Sequence, residues 1–587
     1  MNVIETLAKE FNVNEHRIEN TVALLDEGNT IPFIARYRKE ATGSLDDQLL
    51  RSIADRLDYL RSLAEQKEKV TASITEQGAM TDELAAAIES AATLTELEDI
   101  YRPYRPKRKT RASVAKARGL EPLAKSILEQ KDSFDPFSAA REFINEEVLT
   151  AQDALDGAKD IIAEIISDDA NVRRQLRYML RSHGTVTAKA AADDLGVYEN
   201  YADYAEPVSK IANHRILAVN RAEKENVLKV GIELDKAIGM SVLTGLYVNG
   251  ANASSQLVRE AAEDSYSRLV YPAVEREIRN DLTQRASEDS IKVFAKNTAQ
   301  LLMQPPVRGR VTIGLDPGYR TGCKVAVVDE TGKALDTAVI YCAPPHSKID
   351  EAKKIIKDLV KKYGVKMFAI GNGTATHETE TFAAEVIREL DCGITYMVVN
   401  EAGASVYSAS KLAAAEFPQY DVSLRSAVSL ARRLQDPLAE LVKIDPKSIG
   451  VGQYQHDMPQ KELSHALDAV VEDCVNSVGV DLNTASPALL QRVSGITASV
   501  AENIVKYREE NGAFTSRKQL MKVPKLGPKA FEQCAGFLRI PGAENVLDNT
   551  AVHPESYETA EKLLALCGVS NQAVSYTHLT LPTTERV

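Results

Sequence analysis

Tryptophan is absent from this 587-residue chain, and aromatic residues make up only 6% of it. Cysteine is sparse: Cys323, Cys342, Cys392, Cys474, Cys534 and Cys567 stand far apart, with no C-x-x-C pair. That spacing argues against a zinc ribbon or a disulfide framework and matches the usage of a reducing cytoplasm. No run approaches the roughly 18 apolar residues of a membrane span. The start, "MNVIETLAKEFNVNEHRIEN", is amphipathic and acidic, without the basic and apolar regions of a secretory signal. A basic balance is missing as well. The net charge of −13 argues against wholesale attraction to nucleic acid and leaves room only for local basic patches.

What is present is length and helical periodicity. Single cores rarely grow past roughly 250–300 residues, so the chain holds several domains. From residue 1 to about 305 apolar positions recur at three and four, as in "DDQLLRSIADRLDYLRSLAEQKEKV", and the pattern predicts helix almost throughout. The segments 134–200 and "KENVLKVGIEL" are read as helical too, giving an all-α first half. One stretch inside it is strongly basic. "YRPYRPKRKTRASVAKARG", 101–119, carries Arg102, Arg105, Lys107, Arg108, Lys109 and Arg111 without an acid, interleaved with Tyr101 and Tyr104. It fits either a nucleic-acid contact or a solvated connector.

At "QPPVRGRVTIG" the period changes from 3.6 to 2. Three strands follow in a meander, then helix, strand, helix, strand and helix. The order βββαβαβα is the ribonuclease H-like arrangement, a mixed sheet flanked by helices. Its first strand ends in "LDPG", which delivers Asp316 onto a Pro-Gly turn.

Further on, "SPALLQRVSGITASVAENIVKY" (486–507) aligns without gaps on "SRKQLMKVPKLGPKAFEQCAGF" (516–537), offset by 30. Each copy reads as helix, tight turn and second helix, a tandem helix-hairpin-helix. Such a turn points backbone N–H groups outward at a helix start, where a phosphate is held without reading base sequence. Pro528 suits the first helical position. The expected contacts are Gly495, Ile496, Thr497, Lys525, Leu526, Gly527 and Lys529. The glycines are split between the copies, Gly495 facing Lys525 and Thr497 facing Gly527. A packing module for proteins is the other reading of the same residues.

Together with "NTIPFIARYRKEATGSLDD", "LEDIYRPYRPKRKTRASVAKARGLEPLA", "NRAEKENVLKV", "GLDPGYRTGCKVAVVD", "GVGQYQHDM" and "VEDCVNSVGVDLNTAS", these features resemble the Tex family of bacterial transcription accessory proteins over essentially residues 1–570. The resemblance implies a multidomain, mainly α protein with one α/β ribonuclease H-like domain of the YqgF type. The expected division is 1–305, a helical N-terminal and central region with helix-turn-helix-like parts; 308–445, YqgF; 446–485, a helical linker; and 486–542, the tandem hairpins. Residues 543–572 would begin the C-terminal region. The family's terminal OB-fold RNA-binding domain is missing, and "AVSYTHLTLPTTERV" is read from about 573 to 587 as a sequencing artefact. The implied protein is cytoplasmic and monomeric, binds RNA or DNA and RNA polymerase, and uses no cofactor or membrane. A Mg²⁺-dependent nuclease and a protein scaffold are the alternatives.

The nuclease alternative turns on carboxylates, because two-metal cleavage needs several converging on cations roughly 4 Å apart. Asp316 supplies one, and Glu401 in "VVNEAGAS" is placed to approach it. Strand four ends in "IGNGT", where Asn372 is a poor Mg²⁺ ligand. Where catalytic relatives carry an Asp on the later helix, this chain has Arg425 and Ser426. Glu378, Glu380 and Asp473 are weaker stand-ins. Asp316 and Glu401 are therefore expected to be vestigial, with no metal site, and Asp316 to hold its turn by accepting backbone N–H bonds.

Overall fold

The computed structural model describes residues 2–105 and 109–568. Lys107, Arg108 and the 573–587 tail lie outside them. The chain forms two compact units, Met1–Asn12 with Asp55–Ser290, and Val13–Ala54 with Ile291–Val587. This division cuts across the expected 1–305 block, since residues 13–54 fold with the later half.

In the first unit Leu63, Val70 and Ile74, on one face of the helix Asp47–Glu76, bury against Ile88 and Leu97. Tyr101 and Tyr104 pack on that cluster. A second device is ionic. Arg173 and Arg177, both buried, share Asp99, with Arg173 Nε and Arg177 Nη2 each 3.0 Å from its oxygens, and both also reach Glu277.

The unit is not all α. Strands β1 (Thr185–Ala190), β2 (Asp203–Pro207) and β3 (Leu228–Glu233) form an antiparallel sheet in the order β2-β1-β3. "KENVLKVGIEL", expected to be helix, ends one helix and then forms β3. Asn226 takes a left-handed φ of 60°, which stops the helix Asn213–Lys224, and Leu228, Val230 and Ile232 then alternate inward. With six residues, β3 is too short to separate a period of 2 from 3.6 by eye.

The second unit contains the expected mixed sheet. Strands β4 (Thr312–Asp316), β5 (Cys323–Val328), β6 (Ala334–Ile340), β7 (Met367–Gly371) and β8 (Thr395–Val399) lie in the order β6-β5-β4-β7-β8. The first three pair antiparallel, while β7 and β8 are parallel additions. One face packs Ile313, Leu315, Val325 and Phe368 against the helices Ile349–Tyr363 and Thr376–Leu390. The helix Val422–Gln435 covers the other, closely enough that a Cβ on Gly314 would overlap the Ala427 carbonyl. β4 is buried on both faces, hence the near-continuous apolar run "VTIGL".

The hairpin module is closed by two short parallel strands, β9 (Val480–Asp481) and β10 (Leu538–Arg539). The helix Ile31–Tyr37 docks on it: Tyr37 stacks edge-on to Phe537 at 5.1 Å, and glycine at 536 leaves room for the Tyr37 ring.

Candidate nucleic-acid interface and carboxylate site

The internal repeat is a repeat of backbone. In the first copy the helix Pro487–Leu490 leads into a turn closed by Ile496 N–H donating to Val493 O at 3.0 Å, then the helix Ala498–Asn511. In the second, Leu526 N–H donates to Val523 O at 3.2 Å before the helix Pro528–Ala535. Gly495 has φ 74° and Lys525 has φ 66°, so a lysine holds the left-handed conformation that glycine holds in the other copy. Neither Thr497 nor Gly527 caps its helix with a side chain, leaving first-turn N–H groups facing outward from exposed residues.

The expected contact residues separate into two groups. Thr497, Lys525 and Gly527 are exposed, and Lys525 makes no hydrogen bond or ion pair among the described residues. Ile496 and Leu526, only 6% and 4% exposed, turn their side chains into the module and anchor the turns, so any contact they make would come from the backbone. Gly495 is pressed against the second copy, where its Cβ would lie 2.8 Å from Gln533 Cβ. Lys529 is exposed, but its ammonium donates to Glu27 O; Gln533 Nε2 beside it donates to Gly28 O at 3.2 Å. Glu532 takes Arg38 Nη2 at 2.5 Å. That helix thus holds residues 27–38 in place.

The described part of the basic segment is partly tied to its neighbours and partly exposed. Tyr101 hydroxyl pairs with Ser73 at 3.0 Å. Arg102 Nε lies 3.5 Å from Asp168, and burial beside Arg173 lowers its pKa. Arg105 pairs with Glu98 at 3.3 Å. Lys109 and Arg111 are exposed, the latter opening the helix Arg111–Ala117 behind a Thr110–Ser113 capping box.

The sheet brings Asp316 and Glu401 together. Glu401 sits in a notch made by two glycines: a Cβ on Gly371 would come within 2.7 Å of Oε2, and one on Gly373 would overlap Oε1. Gly373 N–H donates to the carboxylate, and Asn372 Oδ1 accepts Glu401 N–H at 3.0 Å. "IGNGT" is thus a carboxylate seat. Burial, then the charge of Asp316, raises the Glu401 pKa, with Arg433 opposing. Burial also raises that of Asp316, against the Ser426 hydroxyl bonded to it and the Lys324 ammonium.

Two features here depart from the sequence reading. The side-chain donor to Asp316 is Ser426, across from the turn. Arg425 gives its guanidinium to Phe417 O at 3.1 Å and Ser408 O at 3.4 Å, and so is not the repelling cation. The cation whose charge acts on Asp316 is Lys324, which pairs with it in strand register. Its Nζ donates to Thr321 O at 2.5 Å and Gly322 O at 2.9 Å. Sequence reasoning passed over Lys324 and Arg433; the signal for the first was a lone lysine in the apolar strand "CKVAVV". Glu378 and Glu380 accept from Tyr319 and Tyr396 at 2.9 and 3.0 Å, and Asp473 from Arg51. Among the described residues no three His, Cys, Asp or Glu are grouped to hold a metal ion, and no helix is long and apolar enough to cross a membrane.

Comparison with known proteins matches the "Tex-like protein N-terminal domain" over 1–75, "Tex central region-like" over 131–294 and the "Tex protein YqgF-like domain" over 310–435. A "Helix-hairpin-helix motif" matches 475–539, and an "HHH domain" matches 545–584, running into the tail set aside above. "Uncharacterized protein YdcI" of Bacillus subtilis is 49% identical over 98% of this chain and 81% of its own length. "Transcriptional accessory protein Tex" of Neisseria gonorrhoeae is 48% identical over 97% of this chain and 76% of its own. "S1 RNA-binding domain-containing protein 1" of Homo sapiens is 36% identical over 96% and 63%. With this identity along nearly its whole length, the chain belongs to the Tex family.

Proposed function

We propose that this protein is a nucleic-acid-binding accessory factor of transcription that holds RNA or DNA by its phosphates at the tandem hairpins and does not cleave it. The observation that carries the binding half is the second hairpin. There Lys525, without a side-chain partner among the described residues and in a backbone conformation that side chains rarely adopt, stands beside an uncapped helix start. The name of the gonococcal relative supports the transcriptional role, and RNA polymerase is proposed as a partner because that role would call for it. A salt titration tests the binding. Affinity without metal should fall steeply with salt, and Lys525→Glu should weaken all sequences alike. Retention insensitive to salt and to Lys525 would refute it. Co-purification with polymerase tests the partner.

The reading without cleavage is supported by Lys324, the register partner of Asp316, whose positive charge acts on that carboxylate. Asp316 and Glu401 standing side by side favour the second reading, a metal-dependent nuclease. Degradation of a labelled strand with Mg²⁺ or Mn²⁺, lost in Asp316→Asn, would establish that reading instead.

A further inference from the structure

The two edges of the five-stranded sheet are built differently. At one edge, β6 pairs with β5 through a register shift at Val327/Val328, and its Asp336 takes Lys362 Nζ at 2.9 Å and the Tyr363 hydroxyl at 2.8 Å. A bulge and a charge of this kind keep an edge from pairing with another chain. The other edge, β8, reads "TYMVV" and has neither. Its register with β7 runs unbroken from Thr395 to Val399, and Tyr396, Met397 and Val398 are 38%, 47% and 40% exposed.

The backbone of β8 is open as well. Thr395 N–H donates on the β7 side, to Lys366 O at 3.3 Å. Successive residues of a strand alternate sides, so Tyr396 and Val398 turn their N–H and C=O groups outward. No neighbour among the described residues takes them. The charge along this edge is mainly negative. Glu380, on the helix Thr376–Leu390, accepts the Tyr396 hydroxyl at 3.0 Å; Asp391 is exposed ahead of β8, and Glu401 follows it. Lys366 is the cation at the start of the strand, and Arg388 lies about 80° round the helix from Glu380.

We infer that β8 docks an extended segment of a partner protein as a sixth strand, one rich in β-branched residues and carrying lysine or arginine beside Glu380. Main-chain bonds at Tyr396 and Val398 supply the affinity, side chains across from them pack as cross-strand pairs, and the acids select a basic partner. The inference does not depend on the hairpins holding nucleic acid.

Fluorescence anisotropy on the full chain tests it, with the labelled peptides Lys-Val-Thr-Val-Thr-Val-Lys and Glu-Val-Thr-Val-Thr-Val-Glu as probes. The basic peptide should bind, and the acidic one at least about 3-fold more weakly, since exposed charge pairs are worth little each. Proline is tolerated where a strand N–H faces solvent, so Val398→Pro should fold and weaken the basic peptide about 2–10-fold, the worth of one hydrogen bond. Met397→Lys, at an exposed position, should weaken it too, and decides the matter if Val398→Pro fails to fold. Glu380→Gln should narrow the gap between the two peptides. Binding of neither peptide, equal binding of both, or full affinity in Val398→Pro or Met397→Lys would overturn the inference. Self-association of the chain that Met397→Lys abolishes would also overturn it, giving the edge to a second copy.

Discussion

Lys525→Gly should make the protein more stable and a poorer binder at once. In the left-handed region a residue with a Cβ is strained by roughly 1–2 kcal/mol relative to right-handed backbone, and glycine escapes that. Glycine also gains freedom in the unfolded chain, which returns roughly 0.4–1 kcal/mol. Lys525 is exposed, makes no bond among the described residues and has φ 66°, so no packing is lost. The net gain is about 0.5–1 kcal/mol, best read as a rise in denaturant midpoint with the slope unchanged. The lost ammonium removes about one phosphate contact. The slope of log affinity against log salt should therefore fall by about 0.7 for a single strand and 0.9 for a duplex. Lower stability would refute the strain argument, showing that a contact holds Lys525 in place. Higher stability with an unchanged salt slope would remove Lys525 from the interface.

Lys529→Met should do the reverse, losing about 0.5–1.5 kcal/mol because Glu27 O loses its donor, with an unchanged salt slope. Gly373→Ala should cost about 1–3 kcal/mol in chemical denaturation by driving Glu401 from its seat, and Glu401→Ala should recover most of this in the double variant. Glu401→Gln should raise the melting temperature at pH 7–8. Its folded pKa is raised, so the native carboxyl is most favourable below the ordinary carboxylate range and loses that advantage as pH rises through the folded pKa; the gap between variant and parent should close on acidification.

Periodicity made the α/β sheet and the repeat legible, because each stretch is long enough for its period to show and because the two copies align at a constant offset. It failed at "KENVLKVGIEL", where six residues of strand follow a helix directly. The site was half legible. Asp316 and Glu401 announce themselves as acids at strand ends, but Lys324 is paired to Asp316 by register, and register follows from a fold rather than from spacing. The seat of Glu401 was hidden for a related reason: "IGNGT" shows two glycines, yet what they make room for comes from the loop after β8, about thirty residues on. Charge counting likewise could not show which charges of the basic segment are paired: Arg102 and Arg105 are answered by Asp168 and Glu98, while Lys109 and Arg111 stay exposed.

The split of residues between the hairpins then has a physical reason. Both copies need one left-handed residue to close the turn. In the first copy that residue faces Gln533, so only glycine fits, and charge cannot be carried there. In the second the corresponding position is exposed, so a lysine is tolerated at the cost of strain and keeps its ammonium in solvent, where the proposed phosphate contact would use it. Thr497 and Gly527 divide in the same sense: Thr497 borders a cleft it shares with Arg492 and Gln533, while nothing lies within 4 Å of where a Cβ on Gly527 would stand, leaving the backbone bare. One backbone motif is thus packed in one copy and open in the other, and only the open copy carries a charge to solvent. Exchanging the pairs, Gly495→Lys with Lys525→Gly, should not conserve function, because the lysine would have to displace Gln533 before it could reach solvent.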